Sequence, residues 1–362
     1  MKHHIRTAYG DSKFTMSSDG SLIPFQGVLQ GNRASPVMWV LISTPLLNML
    51  REMDNGGHFI IAISNQQSHI VGYSYVDDTD LLQIDMRDRT ITISQTMERM
   101  QEAIDRWEEG LKVIGRAIVP QKSFVYPIGF EFNQQGKWNC TSAEDIDFDF
   151  MVKDEQDTSQ QLSKIDSSEG RCTLGVVLAP DGNSKDAVSY LRKKANTWAA
   201  YIQTGHINRT DAWQALDSTI IKTIQHPIPA LCLTKKECNH IMDPIIKASL
   251  PKSSIARTYP HKVLYGPKEE GGLDQTNLYT KQGTTKIALL AEHLALTTMT
   301  GDLLRCSIEA AKVEIGVGGN LFELDFDLYG RLYTESIIKF IWQFAHENAI
   351  HIRDNVTASL TL

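Results

Sequence analysis

Residues 68–85 read SHIVGYSYVDDTDLLQID, an alternation of apolar and polar side chains broken once by two adjacent carboxylates, Asp77 and Asp78. Alternation with period two is the pattern of a strand, and two such runs about a short polar break predict a β-hairpin. The flanks IVGYSY and TDLLQI are too apolar for a free surface loop, so the hairpin is expected to be buried, with two like charges at its crest. Aspartate is also a common turn former, because it tolerates turn geometry and stays hydrated there. At the end of buried strands, however, concentrated negative charge calls for an oxygen-loving divalent cation to offset its desolvation. Phosphoryl transfer uses such a centre: two metal ions bridge the attacking hydroxyl and the leaving phosphate oxygens.

Pattern divides the 362 residues into three stretches, 1–140, 141–170 and 171–362. In the first, SPVMWVLISTPLLNMLREM (35–53) is apolar on nearly every face and predicts a buried helix, while HFIIAIS (58–64) and FVYPIGFEF (124–132) predict strands. Between them RTITISQTMERMQEAIDRWEEGLKVIG (89–115) shifts to the helical period, with Ile93, Met97, Met100, Ile104, Trp107 and Leu111 on one stripe. The second stretch is rich in Ser, Asp and Gln and shows no clear period after Phe150, so it is expected as an acidic, flexible linker. The third opens with a short strand, CTLGVVLAP (172–180), and continues as helical runs from 186 to 350. The fold class expected is α+β: an antiparallel sheet with packed helices, then a mainly helical region.

Net charge is −7, which argues against a nucleic-acid partner until its distribution is read. Residues 131–170 alone carry −7, whereas residues 171–262 hold 13 basic and 6 acidic side chains. A basic face there is compatible with gripping phosphates, and a solvated helical surface is the plainer account. Five cysteines (140, 172, 232, 238, 306) are an odd set without paired spacing, and the early residues hold no apolar run like a signal peptide. The expected setting is therefore intracellular, nucleus or cytoplasm, with no membrane span. Cys232, Cys238 and His240 have metal-compatible side chains without the paired spacing of a zinc site. Trp198, Tyr201, Trp213 and Trp342 fall at helical spacing and are expected in cores rather than against bases.

Tyr75-Val76-Asp77-Asp78 resembles the tyrosine-x-Asp-Asp signature of reverse transcriptases, motif C of that family. Upstream, PFQGVLQGNRASPVMW resembles motif B in Gly27, Gln30, Gly31, Ser35 and Pro36. Downstream, GLKVIGRAIVPQKSFVY resembles motif D, with Lys122 after the glycine-containing turn. CTLGVVLAP, centred on Leu174-Gly175, is similar to the primer-grip region, and GPKEEGGLDQTNLY (266–279) to the glycine-glycine-leucine stretch of non-LTR retrotransposon polymerases. The resemblance implies a partial polymerase palm followed by a thumb-like region, acting as an RNA-directed DNA polymerase on an RNA template, a DNA primer and deoxynucleoside triphosphates. It implies Mg²⁺ held by Asp77 and Asp78, and Lys122 as the acid that protonates departing pyrophosphate. Nucleotide and template would lie against Gln30, Gly31, Ser35, Pro36, Tyr75 and Val76. Physically, Gln30 offers a polar side chain, Gly31 a bare backbone for close approach, and Pro36 a suitable first helical turn.

One part of the family pattern is unmatched. Its first metal-binding aspartate, in motif A, lies on a strand ahead of motif B, whereas the only acids before Gly27 are Asp11 and Asp19, both in turn-like Gly/Ser sequence. The chain is therefore expected to be truncated, without motif A and the fingers, and its two-metal site short of a ligand. Three functions follow as alternatives: an impaired polymerase, a non-catalytic nucleic-acid-binding module, or an inactive retrotransposon remnant.

Overall fold

The computed structural model describes residues 35–353 apart from 62, 76, 77, 89, 136, 137 and 155. Helix α1 (Ser35–Glu52) is followed by strands β1 (Gly57–Ile60), β2 (Gln67–Ile70), β3 (Gly72–Tyr75), β4 (Asp78–Leu81) and β5 (Ile84–Asp85), then helix α2 (Ile93–Val113). Eight short strands come next: β6 (Phe124–Val125), β7 (Phe130–Phe132), β8 (Trp138–Cys140), β9 (Met151–Lys153), β10 (Ser159–Gln161), β11 (Ser163–Lys164), β12 (Arg171–Thr173) and β13 (Val176–Leu178). The rest is helical: α3 (Lys185–Thr204), α4 (Arg209–Ala215), α5 (Ile221–Gln225), α6 (Lys235–Lys252), α7 (His261–Tyr265), α8 (Leu278–Leu294), α9 (Met299–Ile315), α10 (Phe326–Tyr329) and α11 (Ile337–Glu347). The strands pair only in sheets of two or three, so the class is α+β. Among the described residues, no single helix is long and apolar enough to cross a membrane.

The chain forms two compact units, one from residues up to 58 with 69–123 and 149–162, the other from 59–68, 124–148 and the residues from 163 onward. In the first, α2 starts at a capping box: Thr92 accepts from the Gln95 N–H, and the Gln95 side chain accepts from the Thr92 N–H at 2.9 Å. Its helical stripe then buries Met97, Ile104, Trp107 and Leu111, while Ile93, the first helical residue, is exposed. Trp107 and Leu111 pack with Leu46 and Leu50 of α1 and with Val71. Each buried side chain of this size contributes about 1.5–3 kcal/mol. Helix α1 departs from the expectation of a fully buried helix: Val37, Val40 and Leu41 are 58–65 % exposed. An apolar residue on every face does not choose which face packs, and here the choice is made by Trp107 and Leu111.

The acidic stretch 141–170, expected as a flexible linker, is folded. In the first unit β9 pairs antiparallel with β10, and α2 reads its backbone through side chains. Gln101 accepts from the Met151 N–H at 2.9 Å and donates to the Met151 carbonyl at 2.8 Å, and buried Glu108 accepts from the Lys153 N–H at 2.8 Å. Phe150 and Val152 are buried beside them. In the second unit β11 runs parallel to β6, and Ala143, Ile146 and Ile165 are buried.

Where a single strand is expected at CTLGVVLAP, the second unit has a hairpin. β12 and β13 pair antiparallel through a two-residue turn in which Leu174 and Gly175 both have positive φ, 53° and 80°. That is the backbone of a type I′ turn, which glycine favours at its second position. Helix α3 buries Ala187, Leu191, Ala195 and Ala199, one residue per turn, and the small alanines let the apolar face of α6 approach. Helix α8 instead turns polar groups inward. Gln282 accepts from the Leu233 N–H at 3.0 Å and donates to the Leu233 carbonyl at 2.8 Å, and Lys286 donates to the Pro229 carbonyl at 2.8 Å. Both side chains are fully buried, so this extended segment has its backbone bonds satisfied without a sheet. Trp342 is buried as expected, whereas Tyr201 is 64 % exposed.

Candidate functional site

Strands β3 and β4 form an antiparallel hairpin in which Tyr75 pairs with Asp78, Ser74 with Thr79, Tyr73 with Asp80 and Gly72 with Leu81. The alternation of the sequence sorts these residues by face. Ser74 and Thr79 face inward and share a hydrogen bond of 3.1 Å, and the Trp39 indole of α1 donates to the Ser74 hydroxyl at 3.0 Å. Thus the helix that begins at Ser35 and Pro36 is tethered to the back of the hairpin. Gly72 is required by close approach: a Cβ there would lie 2.1 Å from the Asp80 carbonyl oxygen.

The other face carries Tyr73, Tyr75, Asp78 and Asp80 and is open to solvent, with Tyr73 and Tyr75 53 % and 65 % exposed. The hairpin is therefore half exposed rather than buried as expected, because only the face that carries Ser74, Thr79 and Leu81 has a packing partner behind it. Asp78 and Asp80 stand two residues apart on one strand and so share a face. Partial burial, followed by the neighbouring charge of Asp78, holds the Asp80 carboxyl above its ordinary range. No Lys or Arg pairs with either carboxylate among the described residues. The face thus offers oxygen donors and uncompensated negative charge, a donor set that suits a hard divalent cation such as Mg²⁺.

Of the residues expected to act, Tyr75 and Asp78 lie on this face, and Ser35 and Pro36 open α1. Val76, Asp77, Gln30 and Gly31 lie outside the described residues. Lys122 is exposed at the end of a short 3₁₀ turn, Pro120–Lys122, and its side chain has no hydrogen bond or ion pair to Asp78 or Asp80 among the described residues. Asp80 is the residue that motif matching missed; the period-two alternation that places it beside Asp78 was the available signal. Asp85, further along, is a contrasting carboxylate. It is buried, accepts from the Arg87 backbone and guanidinium and from Arg99, and is held well below the usual carboxylate range by these bonds.

The second unit carries a different feature on the outer side of α3. A cavity of about 580 Å³ is lined by Lys185, Ser189, Arg192, Lys193, Asn196 and His240. Arg192 donates to the His240 carbonyl, which orients one cation across the groove. Ser189 and Asn196 add neutral polar side chains to three fixed positive charges, a lining suited to phosphate oxygens. Cys238 is buried, and its thiol is pushed up to about 12, mainly by burial, which fits a packing role. No family model, curated protein or solved structure matches this chain.

Proposed function

We propose that the chain carries the palm and thumb elements of a reverse-transcriptase-type nucleotidyl transferase, with β3–β4 as its metal-binding hairpin. The observation that supports this reading best is the pairing of Tyr75 with Asp78 at the end of a tight hairpin whose back is tied by Trp39 to the helix starting at Ser35. The two motifs that resemble the family are thereby coupled in one unit. The open, acidic, all-oxygen face fits Mg²⁺, which Asp77 and Asp78 would hold. Magnesium there would supply charge neutralisation at the attacking 3′-hydroxyl and the leaving phosphate oxygens. Gln30 and Gly31 would position the incoming nucleotide, Tyr75 would border it, and Lys122 would deliver a proton to pyrophosphate as a cationic acid.

The test is primer extension by the purified chain on an RNA template with and without Mg²⁺. Extension is expected to require Mg²⁺ and to fall by at least about 100-fold in Asp77→Asn, since removing a charge that would hold the metal costs several kcal/mol of transition-state stabilisation. Extension that survives Asp77→Asn unchanged would sink the reading.

A second reading is favoured by the groove on α3: a nucleic-acid-binding module that needs no catalysis. Arg192 and Lys193 would contact the phosphate backbone, so the affinity for a primer–template duplex should fall steeply with salt. Arg192→Ala with Lys193→Ala should flatten that slope by about two contacts. An affinity that does not vary with salt would exclude this role.

A further inference from the structure

We propose a second metal site, unrelated to the hairpin, in which Asp325, Asp327 and His346 bind a divalent transition-metal ion of the Zn²⁺ type. One ligand atom from each of these side chains lies within 4.8 Å of the others, and the His346 Nε2 is 3.4 Å from Asp325 Oδ1. All three are exposed, so an ion can reach them from solvent and keep water on its remaining positions.

The set is more than a patch of acids, because its nitrogen donor comes from a separate helix that holds the acidic loop in place. Trp342, fully buried one turn before His346 on α11, donates its indole N–H to the Leu324 carbonyl at 2.9 Å. Phe326, between the two aspartates, packs edge-on against Trp342 at 5.1 Å and lies 6.3 Å from the His346 ring. The backbone of all three ligands is thus fixed by the core, and metal binding has only short side chains left to order.

Electrostatics points the same way. Among the described residues no Lys or Arg pairs with Asp325 or Asp327, and His346 is the only cationic group within ion-pair distance. The group therefore combines two carboxylates with one ring-nitrogen donor. One imidazole and two carboxylates suit Zn²⁺, Co²⁺, Mn²⁺ or Fe²⁺; the nitrogen disfavours Mg²⁺ and Ca²⁺, and the absence of thiolate from the set disfavours Cu⁺.

Co²⁺ is the probe, titrated into the full chain at pH 7.5 and followed by its visible absorption. One Co²⁺ per chain is expected at this group, in addition to any held at the hairpin, without the thiolate charge-transfer band that binding at any of the five cysteines would add. His346→Gln and Asp327→Asn should each weaken binding by at least about 10-fold, since even outer-shell changes cost about 10–100-fold. Asp243→Asn, at a carboxylate already paired with Lys247, should leave it unchanged. Asp327 is exposed in the short helix α10, so its variant keeps the fold, which cooperative thermal unfolding checks independently. Binding that persists equally in both ligand variants, or that is lost in Asp243→Asn instead, would overturn the assignment, as would no Co²⁺ binding at millimolar concentration.

Discussion

Asp80 and Asp85 sit five residues apart in one stretch of chain and are treated in opposite ways. Asp85 is buried and enclosed by two arginines that donate to both of its oxygens, at 2.7–3.0 Å. Asp80, with Asp78, faces outward among exposed tyrosines and has no cationic partner among the described residues. The difference teaches how to separate structural from functional carboxylates: the chain supplies its own counter-charge where the carboxylate holds the fold together. Where it does not, the charge is left to solvent or to an ion.

The largest break in this comparison is Asp85→Ala. It strands the guanidinium groups of Arg87 and Arg99 and empties a buried position, at an expected cost of about 2–3 kcal/mol after allowing for the partial exposure of both arginines. Asp78→Ala should stay within about 0.5 kcal/mol of the wild type, because no partner is lost. Urea midpoints of the two variants measure the contrast directly; equal losses would erase it.

A smaller effect comes from Gly72→Ala. The added Cβ would sit 2.1 Å from the Asp80 carbonyl oxygen, so β3 and β4 must separate, at about 1–2 kcal/mol. Separation also moves Asp80 relative to Asp78, so the variant should lose Mg²⁺ binding at the hairpin more than its stability loss explains. Hydrogen exchange confined to residues 72–81 would locate the change.

Local signals carried much of this fold. The stripe on α2 was readable because 3.6-residue spacing selects one face; it falls short at Ile93, where the helix has just begun, and at Met100, which is only partly buried. Face selection on α1 was not readable, since the partner that chooses it, Trp107, lies more than fifty residues away. The acidic stretch misled for a related reason. Its apolar residues, Phe150, Val152 and Leu162, are sparse among carboxylates, and the strand that carries Val152 into the core is held by side chains of Gln101 and Glu108. Such bonds leave no trace in local composition. At the candidate site, Asp78 and Tyr75 were found by motif and Asp80 was overlooked, although the alternation that predicted the hairpin also put it on the same face. The Asp325, Asp327 and His346 group was invisible because eighteen residues separate Asp327 from His346, and the Trp342 bond to Leu324 and the packing of Phe326 on Trp342 bring them together.

The finest test of the comparison is the sign of the pH dependence. The Asp85 carboxyl is depressed in the folded chain, so its contribution is fully present above the unfolded value near 3.9 and is lost as the pH falls toward its lower native value. The Asp80 carboxyl is raised, so the unfolded chain releases that proton first as the pH climbs, and the native state becomes relatively less stable up to neutrality. Asn mimics the protonated acid at either position. Asp80→Asn should therefore match the wild type near pH 3 and exceed it at pH 7, by less than about 1 kcal/mol once solvent screening is allowed for. Asp85→Asn should fall below the wild type at pH 7 and converge toward it in acid. Magnesium sharpens the distinction further: an ion that binds the hairpin face favours the native state and should remove the gain of Asp80→Asn at pH 7, while leaving the deficit of Asp85→Asn untouched. If both variants respond to Mg²⁺ alike, the outward carboxylates are not set apart for a cation, and the hairpin owes its acidity to solvation alone.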